Sequence, residues 1–195
     1  MKQDKLKSSR NYNLKSKTRV VADTILVSES TSLTVIQRTR SRLLSEINLE
    51  DWLHQVTPLI YRALKNYKKM KIKNLKLTAK ALTVVIVGRA EMKKINHQFR
   101  GKDYATDVLS FSAEDPIAAG FPKGFAMGEL VICSQVIQKQ AKEHGLSYQQ
   151  EMLYMLIHGI LHLLGYDHEL GPRQEKQMFQ IQDEIFDSLC KKLDL

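Results

Sequence analysis

Cysteine is nearly missing from this chain. Cys133 and Cys190 are the two present in 195 residues. They lie far apart and form no C-x-x-C pair, which points to small buried hydrophobes in a reducing, cytoplasmic setting rather than to a disulfide. No uncharged apolar run reaches the roughly 20 residues that span a bilayer, so no membrane partner is expected. The first residues lack the apolar core of a secretory signal. Acidic residues are scarce at the front: residues 1–80 hold 18 Lys and Arg against 6 Asp and Glu. There is no internal repeat and no sign of a nucleotide cofactor.

What is present is ordinary for a globular chain: 43% hydrophobic and 26% charged residues, enough for one domain with its own core. The formal net charge of +9 is uneven, because residues 81–195 carry 12 basic and 15 acidic side chains. The front is therefore a candidate contact for a polyanion, or else a solubilising surface. Residues 1–30, rich in Lys, Arg, Ser and Thr and poor in large apolar groups, read as a disordered basic tail. It suits RNA contact, or equally an organelle targeting peptide. Residues 31–195 are expected to form a single domain.

Along the domain, residues 32–37 (S-L-T-V-I-Q), 81–87 (A-L-T-V-V-I-V), 106–112 (T-D-V-L-S-F-S) and 128–133 (G-E-L-V-I-C) have the β-prone character of strands. Apolar residues recur at helical spacing over residues 48–67, where Pro58 predicts a kink or a break. Helices are expected at 90–99, from Ser134 to Gly145, at 148–164 behind the capping-box pair Ser147 and Gln150, and at 173–193 after Pro172. The Gly/Pro/Ala-rich residues 113–127 read as a loop flanking the site. The 148–164 helix is apolar nearly all round and should be the central buried one.

That helix carries the most informative stretch, H-G-I-L-H-L-L-G-Y-D-H at residues 158–168. His158 and His162, four apart, share one helix face. Gly165 permits a left-handed turn that ends the helix and returns His168 toward them. A random chain of this histidine content holds on the order of 0.005 such triplets, so chance is a poor explanation. Three imidazoles with an open fourth position suit one catalytic zinc ion per chain. Such an ion lowers the pKa of bound water to about 7 and makes hydroxide available.

The spacing is that of metzincin peptidases, but those enzymes carry Glu beside the first histidine where this chain has Gly159. A peptidase reading thus loses its proton acceptor. Asp167 is a candidate to orient an imidazole or accept a proton, and equally a turn residue. Tyr166 reads as packing. Glu129 and Asp107 are placed to reach the site from strand ends or to act as caps. Arg100, in Q-F-R-G-K-D-Y-A-T-D-V-L-S-F, is either a surface residue or a bidentate partner for phosphate.

The histidine stretch, the segment N-H-Q-F-R-G-K-D-Y-A-T-D-V-L-S-F at residues 96–111 and the G-E-L at Gly128 resemble the YbeY family of metal-dependent endoribonucleases. Ala105 stands where that family usually has Pro, and Glu129 where Asp is common. The resemblance implies zinc on His158, His162 and His168, with Arg100 as the functional arginine. It also implies an α+β fold, with a mixed sheet of about four strands flanked by helices and a zincin-like site on the central helix. The implied activity is hydrolytic endonuclease cleavage of ribosomal RNA precursor, in rRNA maturation and ribosome quality control at the small subunit. Two alternatives remain: a ribosome-assembly binding factor with a structural metal, and a metallopeptidase.

Overall fold

The computed structural model describes residues 22–27, 31–39, 47–67, 81–113 and 126–195. Five strands form one mixed sheet: β1 (Ala22–Val27), β2 (Thr31–Gln37), β3 (Ala81–Val87), β4 (Val108–Ser112) and β5 (Ala126–Cys133), in the order β1-β2-β3-β5-β4. The β2/β3 and β3/β5 pairs are parallel, and the edge pairs β1/β2 and β4/β5 are antiparallel. The α+β class and the mixed sheet match expectation. The strand beyond the four expected is β1, which corrects the tail at residues 22–27. There the A-D-T-I-L-V run is β-prone enough to pair with β2. The rest of the tail, 1–21 and 28–30, lies outside the described residues, as do 68–80 and most of the 113–127 loop.

Period-2 alternation gives the sheet two apolar faces. Leu33, Val35, Leu82, Val84, Ile86, Leu130 and Ile132 join the main core, while Val85, Val87, Val131 and Cys133 face the smaller cluster with Met92 and Leu109. The main face is covered by α1 (Leu49–Asn66), α4 (Tyr148–Leu163) and α5 (Pro172–Leu193). The smaller cluster takes Met92 and Ile95 from α2 (Arg89–Arg100), and α3 (Ser134–His144) contributes Val136 there and Ile137 to the main core. Among the described residues no helix is long and apolar enough to cross a membrane.

Pro58 does not break its helix. α1 runs through it, because Val56, Thr57, Ile60 and Tyr61 are buried on either side of the proline, and that burial outweighs one lost backbone bond. Ser134 is the first residue of α3 and not its cap. The capping box at the start of α4 forms as expected: Ser147 Oγ accepts from the Gln150 N–H (3.1 Å) and Gln150 Oε1 accepts from the Ser147 N–H (2.7 Å).

α4 packs across β4 and β5, and two glycines permit the approach. A Cβ at Gly159 would stand 2.8 Å from Leu130 Cδ2 and 3.4 Å from Ser110 Oγ. Gly128, at φ 148°, is tighter: a Cβ there would stand 2.3 Å from the Phe111 carbonyl oxygen and 2.8 Å from Leu163 Cδ2. The first of these neighbours is backbone and cannot rotate away. Gly128→Ala should therefore destabilise the protein by about 3 kcal/mol or more, through strain and overpacking together. Urea unfolding should show a lowered midpoint at unchanged m-value, and a loss under about 1 kcal/mol would contradict this account of the β4–β5–α4 junction.

Candidate metal centre

The helix geometry brings His158 and His162 together, with Nε2 to Nε2 at 3.1 Å and ring centroids 4.7 Å apart. α4 then stops in a Schellman turn. The Tyr166 N–H donates to the Leu161 carbonyl (3.0 Å) and the Gly165 N–H to the His162 carbonyl (2.9 Å), with Gly165 at φ 86°. The reversal returns His168, whose ring centroid lies 5.2 Å from each of the other two. One ligand atom from each of the three lies within 4.8 Å of the others. Phe179 of α5 stacks on His168 at 5.6 Å and on His158 at 6.3 Å, holding both rings in place.

A buried amide settles which His158 nitrogen faces inward. Gln182 of α5 is fully buried; its Nε2 donates to the Tyr154 carbonyl (3.3 Å), leaving Oε1 to meet His158 Nδ1 at 2.9 Å. A carbonyl oxygen only accepts, so Nδ1 carries the proton and Nε2 presents its lone pair to the cluster. Burial also favours neutral rings. It lowers the pKa of His158, and lowers that of His162 to about 4, with the neighbouring imidazoles adding to the effect. Two rings whose neutral form is favoured, with ligand atoms of all three histidines within 4.8 Å of one another, fit a metal ion.

The three histidines open onto a cleft of about 430 Å³. Arg100, Asp107, Ser110, Asp167 and Glu169 line it too, so the candidates from two distant segments meet there. Arg100 is the exposed last residue of α2, where Gly101 turns the chain at φ 68°. Asp167 lines the cleft while its Oδ1 accepts from the Glu169 N–H (2.8 Å), the bond of a turn. Asp107 both lines the cleft and holds the start of β4: Oδ1 accepts from the Val108 N–H (2.7 Å) and Thr106 Oγ1 (2.9 Å), and Oδ2 from Gln140 (2.9 Å). Tyr166 packs against the main core, as expected.

Glu129 is corrected. Alternation along β5 puts it on the face of Val131, opposite α4 and away from the cleft. Its carboxyl pKa is raised by burial, with Arg38 acting in the opposite direction. Sequence reasoning also missed Gln182 and Asn96. The buried Asn96 lines the cleft and donates from Nδ2 to the Tyr104 carbonyl (2.8 Å), pinning the loop after α2.

A family model described as Endoribonuclease YbeY matches residues 35–190. The chain belongs to the YbeY endoribonuclease family. An endoribonuclease YbeY of Bdellovibrio bacteriovorus is 48% identical over 126 residues, which are 65% of this chain and 79% of that protein. One from Staphylococcus saprophyticus is 38% identical over 141 residues, 71% of this chain and 87% of the relative. The solution structure of TM1509 from Thermotoga maritima superposes with a TM-score of 0.50 at 25% identity, covering 83% of this chain and 91% of that one. The family match takes in the three histidines, Arg100, Asp167 and Gln182.

Two outcomes follow from the geometry. Gln182→Ala frees the His158 tautomer and should weaken metal binding 10–100-fold in a chelator competition; unchanged affinity would sink the positioning role. In the metal-free protein, His162 takes up a proton more readily unfolded than folded. Stability should thus be full above about pH 6.5 and fall as pH drops toward 4. Across that window the melting temperature of metal-free wild type should fall further with acid than that of the non-titrating His162→Gln.

Proposed function

We propose that this protein is a zinc-dependent endoribonuclease that hydrolyses phosphodiester bonds in ribosomal RNA precursors. The observation that carries the reading is the meeting of three metal-ready histidines and Arg100 in one cleft. The YbeY name of its family and relatives gives the substrate class. His158, His162 and His168 would hold the ion, and zinc is favoured by three imidazole donors with room left on the cleft side. When bound, it would supply Lewis acidity and a nucleophile drawn from water near neutral pH.

The chain's own residues do the rest. Gln182 and Phe179 fix the ligand rings. The Arg100 guanidinium grips the scissile phosphate through two parallel bonds and offsets the charge that builds on its oxygens during displacement. Asp167, held by the Glu169 N–H, is the proton acceptor. A small-subunit partner, a role in ribosome quality control and a cytoplasmic site of action belong to the same proposal.

The assembly-factor alternative, with a purely structural metal, is disfavoured because structural zinc sites are closed by four protein ligands, whereas these three open on a cleft. The peptidase alternative meets Gly159, where any side chain would be driven against Leu130.

Purified protein should contain about one zinc per chain, and His162→Ala should lose both the metal and RNA cleavage. Arg100→Ala should keep the metal and the melting temperature while cleaving RNA at least about tenfold more slowly. Arg100→Lys should recover part of that loss, since an ammonium cannot form the paired contact. Wild-type cleavage by Arg100→Ala would end the phosphate role, and full zinc in His162→Ala would end the ligand assignment.

A further inference from the structure

The loop between α2 and β4 carries an aromatic ring that the chemistry above does not use. Among the described residues, Tyr104 and Leu170 are the large hydrophobics that stand exposed, at 54% and 67%. Tyr104 lines the cleft. Its backbone is not free to move: Asn96, itself 1% exposed, donates to the Tyr104 carbonyl, and the Gly101 N–H closes the helix end onto the His97 carbonyl (3.0 Å). On the far side, Asp107 ties the end of the loop to Thr106, to the first residue of β4 through the Val108 N–H, and to Gln140 of α3. A buried amide on one side and a half-buried carboxylate on the other thus fix the chain around a ring left open to solvent.

Two cations accompany that ring, Arg100 and Lys102, both lining the same cleft. Cations that hold a phosphate backbone beside an exposed aromatic face are the combination that binds single-stranded nucleic acid, because every base offers a π-face. We propose that Tyr104 is the stacking platform for one nucleobase of the RNA, next to the phosphate gripped by Arg100. This deepens the endoribonuclease reading and rests on it. Stacking contributes affinity with little regard to base identity, so Tyr104 selects an accessible base and not a sequence.

The test uses the full-length, zinc-loaded protein and a set of otherwise identical oligoribonucleotides, each with one abasic residue at a different position. With wild type, one position should raise KM about tenfold, the size of one lost stack, and change kcat by less than about twofold, since binding lost equally from ground and transition states moves KM alone. Tyr104→Ala should show that raised KM on the intact strand and no further penalty at that position. Tyr104→Phe should behave as wild type. In Tyr104→Trp, the new indole should be quenched on mixing with the intact strand, over the constant background of the buried Trp52.

Tyr104→Ala with a wild-type KM, or with the abasic penalty intact, overturns the platform. If Arg100→Ala is impaired while Tyr104→Ala is not, the platform alone falls. If wild type cleaves none of the strands, the endoribonuclease reading falls and takes the platform with it.

Discussion

The close approach of α4 to the sheet at Gly159 is the contact on which the rest of the site depends. A side chain there would overlap Leu130 of β5; its absence lets the helix settle on β4 and β5, where Ser110 Oγ donates to the Gly159 carbonyl (3.3 Å). Met152, Leu153, Leu156, Ile157, Ile160 and Leu161 are then fully buried, each contributing about 1.5–3 kcal/mol relative to exposure. The helix is thereby fixed in depth and rotation, and His158 and His162 emerge at its edge facing the cleft. The same burial keeps their rings neutral, so what stabilises the fold also prepares the ligands.

The cleft has two walls from distant parts of the chain. One is α4 with its terminal turn, bringing the histidines, Asp167 and Glu169; the other is the end of α2 and the loop that follows, bringing Arg100, Lys102 and Tyr104. β4 joins them. It pairs with β5 beneath α4 and directly follows Asp107, whose carboxylate also ties Gln140 of α3 to the loop. Asn96 and Gln182 are the buried amides of the two sides, one under the loop and one behind His158. Each is satisfied by the group it positions, which is how a polar side chain survives in a core.

Local signals were readable from the sequence alone because their physics is local. The histidine spacing, the capping box at Ser147 and Gln150, and the turn at Gly165 each depend on residues within one or two helical turns, and all three appear in the structure. Gln182 was harder, yet it left a trace: it falls on the stripe formed by Met178, Ile181, Ile185 and Leu189, all buried. A polar residue inside an apolar stripe signals a buried partner, but the identity of that partner, His158, is a matter of tertiary packing. At Pro58 a break was one of two expectations, and it does not occur because the burial around the proline is tertiary and is not weighed by a local backbone rule. For β1, a short β-prone run was masked by its basic, Ser-rich surroundings. Glu129 was misplaced because its face of β5 is decided by register, and the helix covering each face is not written in the strand.

The position after the first histidine decides where a proton can go. In a peptidase of this spacing that residue is a glutamate beside the metal; here the site is occupied by the contact with Leu130 and Ser110. The acceptor must then come from the carboxylates lining the cleft: Asp107, Asp167 and Glu169. Asp107 is committed to three hydrogen bonds that hold Thr106, Val108 and Gln140 in place, so both its oxygens already serve the fold. Glu169 is exposed, where water screens its action. Asp167 is half-buried, next to His168 in sequence, and its carboxylate is oriented by the Glu169 N–H. On the proposed mechanism, the packing at Gly159 leaves the base to be supplied by Asp167, from the turn that carries His168.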